Sequence, residues 1–305
     1  MGPFLRSVLL PACLSLTLAP ASAVHAAETA VQPPELRAGA RSEIVGLPLT
    51  ISSQEGAETL SAEVEGSLSI PFEQVAPVLT DPSAWCDIVP LSYNIKACTW
   101  REEATGTVLS FYLGLKRYQA PEAATRCDYR FVVAEASRES LRVTLQADEG
   151  PLGIRDSRIV LDAAPSGAGT SLRMVSSYRP SLRSQLLTDG YLATAGRQKV
   201  GFTVVDTGPG GPEYIGGIRG VVERNAMRYY LALRAYFETR RLPESERFEA
   251  RLRAWLAQIE AYRRQLYELE KEEYLAVKRR ERLDQMRLQQ GIDTERGGEG
   301  RGTQR

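Results

Sequence analysis

From Asn94 to Tyr178 the chain passes through six stretches in which apolar and polar residues alternate. Asn94–Arg101, Thr107–Tyr118, Cys127–Ala134, Leu141–Gln146, Ser157–Leu161 and Thr170–Tyr178 each have the period-two pattern of a half-buried strand. Turn residues separate several of them, as at Ala104-Thr105-Gly106, Gly150-Pro151 and Ser166-Gly167-Ala168-Gly169. Connections this short require antiparallel neighbours, because a parallel crossover takes about a dozen residues or more. Leu60–Ile70 adds a strand ahead of them.

A sheet of this kind needs an apolar cover, and Gly216–Glu238 supplies one. At about 100° per residue, Ile218, Val221, Val222, Ala226, Tyr229, Tyr230, Ala232, Leu233, Tyr236 and Phe237 share one broad arc. Glu223, Arg224, Arg228, Arg234 and Glu238 fall on the opposite side. Asn225 interrupts the apolar arc. Burying its amide unpaired would cost about 1–3 kcal/mol, so it either bonds nearby backbone or holds the polar end of a ligand.

Between the first strand and the other six lies PFEQVAPVLTDPSAWCDIVP, which predicts two short helices. Pro71 suits a first helical turn, where its missing N–H costs nothing. Pro77 keeps the first helix short, and Asp81-Pro82 breaks it. Strand, two short helices, six strands and a long helix make an α+β fold: a curved antiparallel sheet gripping a long C-terminal helix, followed by a second long helix.

Ile70-Pro71-Phe72, Val75, Leu79, Asp81-Pro82, Trp85 and Pro90 resemble the opening motif of the START-like superfamily, also called the SRPBCC, polyketide cyclase-like or helix-grip group. With the six strands and the Gly216–Glu238 helix, the resemblance covers roughly residues 58–240. It implies an apolar cavity between sheet and helix that holds a lipid, sterol, isoprenoid quinone or aromatic polyketide. The motif is informative about fold and says almost nothing about the ligand.

The expected boundaries are a signal peptide at 1–26, a linker at 27–56, the START-like domain at 57–240, a long helix at 241–290 and a disordered tail at 291–305. Leu47–Ser52 within the linker has a short-strand pattern. The stretch 181–215 departs from a minimal member of the group and is expected to form a lid-like insertion near the cavity mouth, with a purely structural flap as the competing reading: a helix at Ser181–Ala195, a strand at Lys199–Asp206 and a turn at Gly208–Pro212. In the second helix, Leu252, Trp255, Ile259, Tyr262, Leu266 and Leu269 follow coiled-coil spacing. The seam covers only about two and a half heptads, and Trp255 and Tyr262 are bulky for an isolated pair of helices. Packing back on the domain is therefore expected before a dimer or a partner protein. Lys278-Arg279-Arg280-Glu281 reads as a solvated helix end.

Arg6, the apolar stretch Val8–Ala19 and the small residues ending at Ala26 have the form of a bacterial export signal, which predicts a secreted, periplasmic protein. Cleavage there would remove His25, the single histidine, and with it any imidazole base or histidine metal ligand. Three cysteines would remain. An oxidising compartment favours one disulfide. Cys86 and Cys98 are nearest in sequence and are expected to pair, although the other two pairings stay open. No metal site or cofactor is expected. The formal net charge is zero, which gives no electrostatic case for nucleic acid.

The function expected first is a binding or carrier protein for a hydrophobic small molecule, with transient membrane contact where the ligand is exchanged. Its candidate ligand-binding residues are Val222, Asn225, Tyr229, Leu233 and Tyr236 on the helix, with Tyr112, Tyr129, Phe131, Val143 and Met174 on the strands. For each of them core packing is the competing role. A cyclase- or dehydratase-type enzyme would need a positioned acid or base, drawn from Tyr112, Arg155, Asp156 and Asn225. An interaction protein would work through Leu252–Leu269. No residue is singled out as catalytic.

Overall fold

The computed structural model describes residues 42–44, 48–194 and 196–302. The expected signal peptide lies outside the described residues. The end of the expected linker is structured instead. β1 (Ser42–Glu43) pairs with β2 (Leu49–Glu55), which is longer than the short strand read from sequence and pairs along its whole length with β3 (Leu60–Leu68). Pairing of Ser53, Gln54 and Glu55 with Ala62, Ser61 and Leu60 carries the strand beyond Ser52.

Two short helices follow, α1 (Phe72–Leu79) and α2 (Pro82–Ile88). The Asp81 carboxylate accepts from the Ser83 N–H at 2.8 Å and caps α2. The Trp85 indole donates to the Leu79 carbonyl at 2.9 Å, which ties the second helix to the first. Six strands come next: β4 (Ile95–Glu103), β5 (Gly106–Leu113), β6 (Thr125–Ala136), β7 (Leu141–Glu149), β8 (Arg155–Ser166) and β9 (Gly169–Arg179). All pairings are antiparallel, in the spatial order β1-β2-β3-β9-β8-β7-β6-β5-β4. The expected lid is α3 (Leu182–Ala193) with a separate hairpin, β10 (Val204–Gly208) and β11 (Gly211–Tyr214).

The long helix α4 (Gly217–Thr239) packs against β2, β3 and β9. Its Tyr230 seats on Gly66 of β3, where any Cβ would come within 2.2 Å of the tyrosine hydroxyl. Glycine is required at 66 by this close approach.

The C-terminal region is not one helix. It divides into α5 (Glu244–Ala261), the single turn α6 (Arg263–Leu266) and α7 (Lys271–Gly302). Tyr262 leaves the helical conformation at φ −120°, ψ 45°, and the chain turns there. α7 also continues through Gly302, across most of the stretch expected to be a tail. Leu252, Trp255, Ile259 and Leu266 are fully buried in the domain core, with Tyr262 and Leu269 packed against it. α5 lies on α4, and the Trp255 indole donates to the Arg228 carbonyl at 3.2 Å. The seam thus closes on its own domain.

α7 runs along β4. Gln285 accepts from the Cys98 N–H and donates to the Cys86 carbonyl, both at 2.9 Å. Gln289 accepts from the Trp100 N–H at 2.9 Å and donates to the Trp100 carbonyl at 3.0 Å. Glu281 bridges Lys96 and Lys278, each at 2.8 Å, and all three are buried. Lys278 and Glu281 therefore do not form a solvated helix end. Lys278 donates to the Ser92 and Ile95 carbonyls, and burial pushes its ammonium down to about 8. A disulfide joins Cys86 of α2 to Cys98 of β4, with the Cα atoms 4.8 Å apart, while Cys127 is a buried free thiol.

Candidate ligand site on the concave face

Strand register fixes which side chains look toward α4. Leu145 opposes Phe131 and Ile159, Leu161 opposes Val143 and Met174, and Ser176 opposes Ile159 and Ala62. Cross-strand partners share a face, and residues two apart on a strand stay on it. The inward set is therefore Tyr129 and Phe131; Leu141, Val143, Leu145 and Ala147; Ser157, Ile159 and Leu161; Leu172, Met174, Ser176 and Tyr178.

This face has two halves. Val143, Leu145, Leu161, Leu172 and Met174 are buried in the core with Val75, Leu79 and Trp85 of the two short helices. Phe131 meets Trp85 edge-to-face at 6.4 Å between ring centres. The other half is incompletely covered. Ser157, Ile159, Ser176 and Tyr178 point inward yet remain half-buried, as do Ile218, Val221, Asn225 and Tyr229 on α4. Tyr129 lies at the border, its hydroxyl 2.9 Å from Ser157 Oγ. Burial raises the Tyr178 and Tyr229 hydroxyls to about 12. α3 begins beside this half, where Ser181 Oγ donates to the Leu152 carbonyl at 2.7 Å just ahead of β8. Its Leu182, Leu186 and Leu187 are 73%, 64% and 50% exposed.

Of the residues nominated from sequence, Tyr129 and Tyr229 lie near one another at the incompletely covered half, with Asn225 one turn before Tyr229 on α4. Val222, Leu233, Phe131, Val143 and Met174 are buried in core packing. Tyr236 points elsewhere: the Arg251 guanidinium of α5 lies 4.1 Å from its ring centre. Tyr112 opposes Arg126 on the face of β5 and β6 away from α4, next to α7 residues Asp284 and Arg287. Tyr112 alternates with Phe111, which opposes Cys127 on the inward side, so regular strand alternation puts Tyr112 on the outer face. The four candidates for acid–base work do not converge. Asp156 is exposed at φ 51° and pairs with Arg179 at 3.3 Å, Arg155 is exposed, and Tyr112 and Asn225 lie on opposite sides of the sheet.

The polar side of α4 departs most from the sequence reading. Glu223, Arg224 and Arg228 are buried rather than solvated. Glu223 accepts hydrogen bonds from Ser53 Oγ at 2.6 Å, from the Phe202 and Thr203 N–H groups at 2.7 and 2.9 Å, and from Thr203 Oγ1 at 2.7 Å. It fastens β2 and the 202–203 stretch to the helix. Arg228 pairs with Glu268 at 2.7 Å and donates to Asn225 Oδ1 at 3.3 Å. Lys116 reaches the same carboxylate at 2.8 Å and Lys199 at 3.7 Å. Burial alone would raise Glu268, but Arg228 and the lysines outweigh it and hold the carboxyl below its usual range. The sequence held no signal for this cluster, because Lys116, Lys199 and Glu268 come from three irregular connections.

A surface cleft of about 360 Å³ lies at the other end of α4, between Leu49, Leu68, Ile70, Tyr230, Phe237 and Arg240. It adjoins a different face of the helix from Tyr229. Among the described residues, no group of three His, Cys, Asp or Glu side chains is placed to hold a metal ion, and no helix is long and apolar enough to cross a membrane.

No protein-family model matches the sequence, and no curated protein is similar to it at a significant level. Solved structures that align with part of this chain include a STAR-related lipid transfer protein from Xanthomonas axonopodis, 16% identical, covering 51% of this chain and 90% of that one at a TM-score of 0.37. Norcoclaurine synthase from Thalictrum flavum is 13% identical over 47% of this chain and 85% of that one, with a TM-score of 0.32. Major latex-like protein 151 from Panax ginseng is 15% identical over 46% and 95%, with a TM-score of 0.31. The chain resembles the START-like, helix-grip proteins in fold, and the likeness rests on its own strand order and the helix laid across the sheet.

Proposed function

We propose that this chain is an exported, periplasmic binding or carrier protein for a hydrophobic small molecule of lipid, sterol-like or isoprenoid type. The ligand lies between the sheet and α4, against Tyr129, Tyr178, Asn225 and Tyr229. One observation carries this reading: eight side chains directed inward, Ser157, Ile159, Ser176, Tyr178, Ile218, Val221, Asn225 and Tyr229, are left only half-buried. A protein interior ordinarily packs to crystal-like density, and an apolar surface with a few polar groups is the usual form of a small-molecule site. The exposed leucines of α3 suit brief contact with a membrane while the ligand is exchanged.

The test is to fill the space. Solvent extraction of the purified protein followed by mass spectrometry is expected to yield a co-purified apolar compound. The double variant Ser157→Leu/Ser176→Leu is expected to lose it, and to bind a neutral apolar fluorophore about tenfold more weakly or worse, with its circular dichroism unchanged. Undiminished binding by a folded double variant would defeat the proposed location.

A further inference from the structure

Three cations, Arg228, Lys116 and Lys199, pair with the Glu268 carboxylate, and a fourth, Arg224, lies near them beside the incompletely covered half of the concave face. Arg224 and Arg228 form the floor of the cluster on α4, while Lys116 and Lys199 form its rim around Glu268. Four positive groups against one negative leave a formal excess of three charges. The two arginines are one helical turn apart, an arrangement that repels. Arg224 is only 2% exposed, and its Nε and Nη1 have no hydrogen-bond partner; the same holds for Nε of Arg228. Tyr191 of the lid lies beside Arg224 and presents its ring to Lys116 at 5.7 Å. Burying guanidinium N–H groups without acceptors is costly, and the planar fork of arginine matches carboxylate and phosphate oxygens.

We infer that this cluster receives the anionic head, a carboxylate or phosphate, of an amphiphile whose apolar body lies along the concave face. The inference rests on the binding function proposed above and adds the chemical class of ligand. Asn225 connects the two regions. Its Oδ1 accepts from Arg228, and it stands one helical turn from Tyr229 on the half-buried stripe of α4. The ligand head occupies the free N–H groups of Arg224 and Arg228 and shares the lysines with Glu268. With Tyr191 packed beside these cations, the lid closes over the head rather than over the apolar body.

The experiment uses the full chain and a matched set of probes: dodecanoic acid, dodecyl phosphate and dodecanol, below micelle-forming concentrations, together with inorganic phosphate alone. The acid or the phosphate ester is expected to bind at least about tenfold tighter than the alcohol, and whichever is tighter identifies the head. Inorganic phosphate is expected to raise the melting temperature above that in chloride of equal ionic strength. Arg224→Met should bring the three amphiphiles to within about twofold of one another and abolish the phosphate effect. Lys116→Gln, at the half-exposed rim, should do so partially in a protein of unchanged fold. If the alcohol binds as tightly as both anions and phosphate gives no stabilisation, the anionic head is wrong while the apolar carrier survives. If no amphiphile binds but phosphate still stabilises through Arg224, the carrier is wrong while the anion site survives. If neither happens, both are wrong.

Discussion

The two halves of the concave face share β8 and β9, yet they pack differently. One is closed by α1, α2 and the Trp85–Phe131 contact. The other is met by the N-terminal half of α4 and by α3, whose leucines are exposed. Residues two apart on one strand show the contrast: Leu161 is fully buried, whereas Ile159 is half-buried. The sealed half is packed through, whereas the other half leaves inward side chains half-buried.

The largest expected effect probes that contrast directly. Leu161→Ala should cost about 2–5 kcal/mol in urea unfolding, and Ile159→Ala about 1 kcal/mol or less. Equal costs would mean that the halves are packed alike. Next in size is the disulfide that clamps α2 over the sealed half. Its closed loop is short, with a separation of 12 residues, so Cys86→Ala/Cys98→Ala should cost about 3 kcal/mol. Binding of an apolar probe should change less than about twofold, since the clamp is remote from the other half; a large change would show that the halves are coupled.

The smallest effect appears only in alkali. Tyr178 and Tyr229 ionise near 12 in the folded chain against about 10 when unfolded. Their folded values are raised, so the stability they contribute is complete below pH 10 and is lost as pH rises from there toward 12. Tyr178→Phe/Tyr229→Phe should flatten this loss in pH-dependent unfolding. A double variant with the parent's alkaline profile would mean that the incompletely covered half is simply wet.

The sheet, its antiparallel order and the amphipathic helix were legible in the sequence, because period-two and period-3.6 patterns report burial directly. Asn225 was legible as an oddity, since one amide in an apolar arc stands out. Which inward residues would be sealed was not, because alternation assigns Val143 and Tyr129 to a face without saying what covers them. Arg224, Arg228, Lys278 and Glu281 were misread for one shared reason. A charged residue on the far side of a helix looks solvated until a later segment of chain lies over it, here α5, α6 and the 199–203 stretch over α4, and β4 against α7. The serines Ser157 and Ser176 could have been found from sequence by asking which inward strand positions carry small polar groups.

The glutamines of α7 have one more consequence. The outer border of a β-sheet offers unpaired N–H and C=O groups on which another chain can grow. Here Gln285 and Gln289 engage backbone groups of β4, and at the opposite border β1 is only two residues long among the described residues. On the β4 side, α7 already occupies backbone groups that a strand of a neighbouring copy would need for pairing.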